Sequence, residues 1–180
     1  MFTDENLYEH FWNGEKIAAD ELVHRHGDIL VLFLNSYVKD IHEAEDLMIE
    51  AFALMFVKRR PVSEDGSFRA YLYKTARRLA GKAIKKHRIH IGLEELPFEL
   101  PGEALAETSL FENERKKQLY EAMEELKPEY QEALYLVYIE DMSYRDTAEV
   151  MGRSESQIKN LVNRGKKSLK EILGKNGFEY

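Results

Sequence analysis

Long stretches of this chain carry apolar residues at helical spacing, and few prolines or glycines interrupt them. The 180 residues include four prolines and ten glycines. Apolar residues recur every three or four positions rather than at every second position, which is typical of amphipathic helices and not of half-buried strands. The sequence therefore predicts an all-α protein.

One segment interrupts this helical pattern. Residues 92–109, "GLEELPFELPGEALAETS", combine two prolines and two glycines with several glutamates. This composition predicts an acidic linker between two small helical domains, residues 1–91 and 110–175, with a tail at 176–180. The predicted helices are 4–13, 16–38, 41–58 and 67–88 in the first domain, and 110–126, 128–139, 144–151 and 155–173 in the second.

Composition restricts the compartment and the chemistry. The chain has no cysteine, which excludes disulfides and thiolate metal sites and suits a reducing cytosol. The N-terminus, "MFTDENLYEH", is acidic and lacks a long apolar run, so the sequence shows neither a signal peptide nor a transmembrane helix. We expect a cytoplasmic protein with no membrane insertion.

The sign of the charge changes along the chain, whose formal net charge is -7. Residues 1–68 carry six basic and fourteen acidic side chains, and residues 91–132 carry four and twelve. Between them, residues 69–90 carry eight basic side chains and no acidic one, and residues 154–175 carry six against two. Two basic segments in an acidic chain predict two separate contacts with a polyanion.

The first basic segment, "RAYLYKTARRLAGKAIKKHR", has the period of an amphipathic helix. Its apolar side is formed by Phe68, Leu72, Thr75, Ala76, Leu79 and Ala83. The opposite side carries Lys74, Arg77, Arg78, Lys85 and Arg88. Like charges on one face repel each other, whereas a merely solvated face usually mixes signs, so this helix predicts contact with nucleic-acid phosphates. Tyr71 and Tyr73 flank the apolar side and are candidates for stacking on unpaired bases, although rings at helical spacing are more often core. Tyr71 joins the candidate site.

The second basic segment lies in "MSYRDTAEVMGRSESQIKNLVNRGKKSLKEIL". Ser143 and Ser154 each begin a capping-box pattern, and Gly152 lies in the short turn between the two predicted helices, as in a helix-turn-helix. The second helix is predicted to bury Ile158, Leu161, Val162, Gly165 and Leu169. The candidate DNA-binding residues are Arg153, Ser154, Ser156, Gln157, Lys159, Asn160, Asn163, Arg164 and Lys167. The alternative is a helical hairpin packed against a partner.

The predicted helix 41–58 has two different faces. A predicted core stripe contains Ile41, Ala44, Met48, Ala51, Phe52 and Met55. The other side carries Glu43, Asp46, Leu47, Glu50 and Leu54. Leucines interleaved with carboxylates indicate a partner-binding face rather than plain solvent.

These elements, in this order, resemble the extracytoplasmic-function sigma factors of bacterial RNA polymerase, the two-domain branch of the sigma-70 family. The resemblance runs from about Phe11 to Leu173. "AEDLMIEAF" is similar to the family's AEDLVQEVF helix, and "FRAYLYKTARRLA" to its FRxWLYRIARNLA promoter-melting helix. "YQEALYLVYIEDMSYRDTAEVMGRSESQIKNLVNRGKKSLK" is similar to the family's helix-turn-helix for the minus-thirty-five element.

The resemblance implies a protein that directs RNA polymerase core to promoters. It implies contacts with the β′ clamp helices and the β flap of the polymerase, with promoter DNA and with an anti-sigma factor. The chain departs from the family pattern at Tyr71, Arg78 and Ile49, where Trp, Asn and Gln are usual. The Asn position helps read the flipped minus-ten base in relatives.

Other functions were weighed against this interpretation. The close histidine pairs, His24 with His26 and His87 with His90, lack a third ligand at metal spacing, and no nucleotide-binding or hydrolase motif occurs, so we expect no metal, no cofactor and no enzyme activity. A helix-turn-helix regulator acting without polymerase remains open, with the first domain as a dimerisation or ligand module. A helical scaffold that binds only proteins is a third possibility.

Overall fold

A computed structural model describes residues 2–59, 67–87, 97–99 and 114–175 of the chain. The chain divides into two compact units, Met1–Leu93 and Glu94–Tyr180. The described secondary structure is helical without a strand, which confirms the predicted all-α class. The undescribed part of the chain includes residues 60–66, Arg88, His90, most of the predicted linker and the tail. No described helix is both long and apolar enough to cross a membrane.

Four helices form the first unit, and they begin and end within one residue of the predicted bounds. They are α1 (Asp4–Trp12), α2 (Ile17–Val38), α3 (Ile41–Val57) and α4 (Phe68–His87). Lys39 adopts a left-handed backbone at φ 60° and ends α2. The Asp40 carboxylate then accepts hydrogen bonds from the amides of His42 and Glu43, at 2.9 and 3.1 Å, and caps α3.

The core of the first unit forms around α4, which packs against α1, α2 and α3. Tyr73 of α4 is buried with its ring centroid 4.9 Å from that of Phe33 in α2. At the first residue of the helix, Phe68 is buried with its ring centroid 5.4 Å from that of Tyr8 in α1. Burial of such large rings supplies much of the apolar driving force in a unit of this size.

The second unit contains α5 (Glu114–Glu124), α6 (Pro128–Leu134), α7 (Tyr144–Met151) and α8 (Glu155–Lys175). Pro128 lies in the first turn of α6, as predicted, because it has no amide hydrogen to leave unbonded there. The predicted helix 128–139 is α-helical only to Leu134. A π-helical turn, Tyr135–Ile139, follows directly, with Tyr135 buried and Tyr138 53% exposed.

One contact between aromatic rings and one close approach at a glycine define the centre of the second unit. Phe98, which lies in the predicted linker, is fully buried with its ring 5.6 Å from that of Tyr135. Gly165 is buried where α8 meets α6, and a Cβ added there would lie 3.2 Å from Leu134 Cδ1 and 3.3 Å from Tyr130 Cβ. The absent side chain thus lets the two helices approach closely.

Candidate nucleic-acid and partner interfaces

The exposed surface of α4 is basic, and its exposed described residues are Lys74, Arg78, Lys82, Lys85 and Lys86. The first four fall within about 80° of one another around the helix. We call these four residues the α4 strip. The structure thereby places Lys74, Arg78 and Lys85 together as predicted and adds Lys82, whereas Arg77 is half-buried on another side. The helical spacing of the charged residues would have been enough to predict Lys82.

The two tyrosines of α4 occupy opposite environments. Tyr71 is half-exposed and lies within the sector of the α4 strip. Around the helix, its position falls between those of Arg78 and Lys82. Tyr73 is 1% exposed and belongs to the core, so its predicted role in base stacking was wrong. The reason is that α4 contacts three helices of its unit, which makes its buried sector wider than the single apolar stripe that the sequence predicts. The Tyr71 ring lies beside the basic charges.

The exposed face of α3 agrees with the prediction except at Leu47. Asp46 and Glu50 are exposed, Glu43 is half-buried, and Leu54 is 37% exposed. Leu47, predicted on this face, is only 8% exposed, so that assignment was wrong. The reason is that α3 packs against α4 as well as α2, and Leu47 lines the groove between α3 and α4.

Two members of the predicted α3 core stripe are less buried than expected. Ile41 is 43% exposed because it is the first residue of the helix, at the edge of the packed region. Met48 is half-buried. The exposed face also carries an apolar row that was not predicted, at i, i+4 and i+8: Ile49, Ala53 and Val57, with Ile49 61% and Val57 81% exposed. The spacing of four residues is the sequence signal from which this row could have been predicted.

A groove of about 320 Å³ separates the acidic face of α3 from the basic side of α4. Glu43, Asp46 and Glu50 line it from α3, and Lys82 and Lys86 line it from α4. The partner-binding face predicted on α3 therefore borders the α4 strip directly, so charges of opposite sign face each other across an open groove.

The helix-turn-helix of the second unit forms as its caps predict. The Ser143 hydroxyl accepts from the Asp146 amide at 3.0 Å and begins α7. Gly152 has φ 65° and ends α7 in a left-handed backbone. At the start of α8, Ser154 Oγ accepts from the Gln157 amide at 3.2 Å, while Gln157 Oε1 accepts from the Ser154 amide at 2.8 Å. This reciprocal capping box fixes the first turn of α8.

The outer face of α8 presents the predicted recognition residues together. Ile158, Leu161, Val162 and Gly165 are buried as predicted, and Leu169 is half-buried. The exposed residues are Ser156, Gln157, Lys159, Asn160, Asn163, Arg164 and Lys167. Amide and guanidinium groups of this kind hydrogen-bond to base edges, and lysines bind phosphate.

Arg153 is more constrained than the other candidates. Its guanidinium Nη2 lies 3.3 Å from Glu129 Oε2 at the start of α6, with Arg153 30% and Glu129 42% exposed. The arginine therefore pairs within the unit, beside the Ser154 cap. An exposed pair of this kind contributes little to stability, so a phosphate can compete with Glu129 for the guanidinium.

Lys166 lies at the edge of the α8 face and contacts the π-helical turn. Its Nζ lies 4.7 Å from the centroid of the exposed Tyr138 ring. A hydrogen bond with the Tyr138 side chain raises the pKa of Lys166 above its usual value. The ammonium therefore stays charged, and the ring restricts where it points.

The candidate metal ligands do not form a cluster. Within the described part of the chain, no three His, Asp or Glu side chains are grouped so that they would hold a metal ion. His26 instead lies 2.8 Å from the Asp4 carboxylate, and Arg25 bonds to the same carboxylate at 3.2 Å. The hydrogen bond from His26 is the largest cause that lowers the pKa of Asp4, and Arg25 lowers it further.

The fold and these surfaces define a two-unit helical protein with a basic helix in one unit and a helix-turn-helix in the other. The family description "Sigma-70 region 2" matches residues 22–89, and "Sigma-70, region 4" matches residues 116–169. Together the two regions cover most of the chain, in the order that the sequence predicts. The chain belongs to the sigma-70 family, in its extracytoplasmic-function branch.

Individual relatives are similar over nearly the whole chain. The ECF RNA polymerase sigma factor SigM of Bacillus subtilis is 27% identical over 168 residues, covering 88% of this chain and 97% of that protein. The ECF RNA polymerase sigma factor SigE of Mycolicibacterium smegmatis is 28% identical over 166 residues, covering 89% of this chain and 63% of the relative. The chain therefore spans less than two thirds of the second relative.

Solved structures share the fold. CnrH, solved in complex with the cytosolic domain of CnrY, aligns with a TM-score of 0.62 at 19% identity, over 95% of this chain and 97% of CnrH. The sigma factor RpoE from Bartonella quintana, solved in complex with the anti-sigma factor NepR, aligns with a TM-score of 0.61 at 18% identity, over 86% of this chain and 96% of RpoE.

Proposed function

We propose that this protein is a sigma factor that directs RNA polymerase core to specific promoters and initiates DNA-templated transcription. The observation that carries the proposal is the presence of both sigma-70 regions in one chain, each folded with a charged surface exposed. The protein then acts by binding and positioning. The chemistry of RNA synthesis belongs to the polymerase.

In this proposal the first unit contacts separated DNA strands in the minus-ten region. The α4 strip supplies positive charge for phosphates, and Tyr71 supplies a ring on which an unpaired base can stack. The strip carries no carboxylate, since residues 69–88 contain neither Asp nor Glu. Arg88 extends the proposed site beyond the described residues.

The second unit binds the minus-thirty-five element as duplex DNA. The α8 residues Asn160, Asn163 and Arg164 are exposed on one face and are placed to contact base edges in the major groove, with Lys159 and Lys167 on the flanking phosphates. The N-terminal turn, with Arg153 and the Ser154 cap, lies where a helix terminus attracts a phosphate.

The polymerase contacts the acidic face of α3. Asp46 and Glu50 supply charge, and Leu54 with the apolar row Ile49, Ala53 and Val57 supplies area that is otherwise left in water. We assign this face to the β′ clamp helices and a contact of the second unit to the β flap. An anti-sigma factor is a further proposed partner, since RpoE, which shares the fold, was solved in complex with the anti-sigma factor NepR.

The experiment that tests this function is a pull-down of purified core polymerase with the double variant Asp46→Lys and Leu54→Ala. We expect the variant to lose core binding while its circular dichroism spectrum is unchanged, because both side chains are exposed. A matched control is Asp28→Lys with Ile29→Ala, which makes the same kinds of change on the exposed side of α2.

The outcomes separate the proposal from its alternatives. Loss of binding in the α3 variant with retention in the control supports a sigma factor that docks through α3. Equal retention in both defeats the docking assignment. Failure of the unmodified chain to bind core, together with tight sequence-specific duplex binding by the isolated chain at physiological salt, would identify a regulator that acts without polymerase.

A further inference from the structure

The basic helix α4 lacks a feature that helix N-termini usually have. The first turn of a helix leaves unbonded amides and a partial positive charge, which acidic side chains commonly offset. The first turn of α4 contains no acidic residue and has Arg69 as its second residue. A carboxylate within α4 would repel the phosphates that the α4 strip is proposed to bind, so the two requirements conflict.

A carboxylate from another helix resolves this conflict. Glu5 of α1 accepts a hydrogen bond from the Phe68 amide, with 3.2 Å between Glu5 Oε1 and the nitrogen. The Ser67 hydroxyl accepts from the Ala70 amide at 3.2 Å. Glu5 therefore supplies the acidic partner that α4 does not contain, from a position 63 residues earlier in the chain.

Helix α1 is itself held in place by contacts on both sides of Glu5. Asp4 binds Arg25 and His26 of α2, and the Tyr8 hydroxyl donates to the Met55 carbonyl of α3 at 3.0 Å. Further along, Arg59 Nη2 lies 2.7 Å from Glu9 Oε2. Helix α1 thus joins the last turn of α3 to the first turn of α4. The region 2 match begins at residue 22, so α1 lies outside it.

We infer that Glu5 of α1 is a positioning residue for nucleic-acid binding by α4. By fixing the first turn of α4, it holds Tyr71 and Lys74 in the direction required for single-stranded DNA while keeping negative charge off the α4 strip. This inference rests on the proposed function of α4. It adds a role for a helix that the family match does not include.

The direction of the effect distinguishes this role from simple electrostatics. Removing a negative charge from a protein ordinarily strengthens its binding to DNA. If Glu5 positions α4, however, Glu5→Leu weakens binding, because the first turn frays and its side chains lose their fixed direction. Glu5→Gln retains an acceptor oxygen without the charge and should have an intermediate effect.

The test uses the full chain and a fluorescein-labelled single-stranded DNA 20-mer of random sequence, with the dissociation constant measured by fluorescence anisotropy. We expect Glu5→Leu to weaken binding roughly threefold to tenfold. The control Asp28→Asn also removes a negative charge from the first unit, at an exposed position of α2 outside the contacts described for α1, and should leave binding equal or slightly tighter. Thermal melts establish that each variant is folded at the measuring temperature.

A rescue variant keeps the test decisive even if Glu5→Leu lowers stability. Adding Ser67→Asp to Glu5→Leu places a carboxylate at the N-cap of α4 itself, where Ser67 already accepts from Ala70. Because this carboxylate lies close to the α4 strip, the rescue is judged by the order of the helix and not by affinity: restored amide-exchange protection at Tyr71 and Lys74 would support the inference. Wild-type affinity in Glu5→Leu, tighter binding in that variant, or protection that Ser67→Asp does not restore would each overturn it.

A parallel pull-down of purified core polymerase separates this inference from the proposed function. Glu5→Leu should retain core binding, because the α3 face is unchanged. If the unmodified chain binds single-stranded DNA but not core polymerase, the sigma-factor proposal fails while the comparison of Glu5 variants still decides the role of α1. If the unmodified chain does not bind the single strand, the inference about Glu5 fails.

Discussion

The two basic helices, α4 and α8, are similar in length, but they are buried to different extents. Ten residues of α4 are buried, against five of α8. The exposed part of α4 is accordingly a narrow strip surrounded by core positions, whereas α8 presents a broad polar face. Packing therefore restricts the charges of α4 to one narrow sector of the helix, while α8 presents its polar side chains over a wider sector.

This difference is consistent with the two proposed targets. Separated strands offer few fixed features, so a protein that binds them needs a rigid surface with stacking rings and aligned charges. A duplex is itself rigid and offers base edges in a groove that accepts a whole helix. On α4 we therefore expect a sharp division between substitutions that lower stability and substitutions that weaken DNA binding. On α8 we expect a more gradual change from one kind of effect to the other.

The largest expected effect is on the free energy of unfolding, and it distinguishes the two tyrosines of α4. Tyr73→Ala should destabilise the first unit by about 3–5 kcal/mol, because a buried aromatic ring is lost beside Phe33. Tyr71→Ala should cost under about 1 kcal/mol and should instead weaken single-stranded DNA binding. Urea unfolding and anisotropy measure the two effects. Similar stability losses in both variants would remove the distinction between core and strip.

The next comparison concerns sequence preference in DNA binding. Arg164→Ala should cost about 1–3 kcal/mol on the cognate minus-thirty-five duplex and much less on unrelated duplexes. Neutralising Lys82 and Lys85 should leave sequence preference unchanged and flatten the salt slope by about 0.7 per lost single-strand contact. Salt titrations with both variants in polymerase holoenzyme test this division. A sequence-specific loss from the lysine changes would contradict it.

Two buried helical glycines extend the comparison to the packing of each unit. Gly165→Ala should destabilise the second unit by about 1–2 kcal/mol, since its Cβ would lie 3.2 Å from Leu134 Cδ1. Gly27→Ala in α2 should stabilise the first unit by about 0.5–1 kcal/mol. Its Cβ has room, 3.8 Å from Val23 Cγ1, and alanine favours the helix. Thermal unfolding would show opposite shifts, and shifts of equal sign would refute the packing argument.

The last expected effect disappears in acid and concerns the contacts of α1. Because the pKa of Asp4 is lowered in the folded protein, its contribution to stability is present above its usual pKa of 3.8 and is lost as pH falls through the lowered folded value. Asp4→Asn should therefore cost about 1–2 kcal/mol near pH 6, and the difference from wild type should disappear in acid. Asp28→Asn, an exposed change on α2, is the control. An Asp4 effect independent of pH would be inconsistent with the ionised contact.

Local sequence signals determined most of the helices and caps. Ser143, Ser154 and Gln157 form the caps that their spacing predicts, because capping depends on residues three positions apart. The recognition face of α8 was predictable for the same reason, since one buried stripe fixes the opposite face. The positive charge of the α4 strip was also predictable, because the net charge of a segment can be counted from its sequence.

Contacts between distant segments decided the rest. Leu47 and Tyr73 are buried because α3 and α4 each pack against more than one neighbour, which the period of a single helix does not reveal. Phe98 is in the core of the second unit although the local composition predicts a linker. The partner of the first turn of α4 is Glu5, 63 residues away, and only the folded chain brings that carboxylate to an amide that the sequence of α4 leaves without an acidic neighbour.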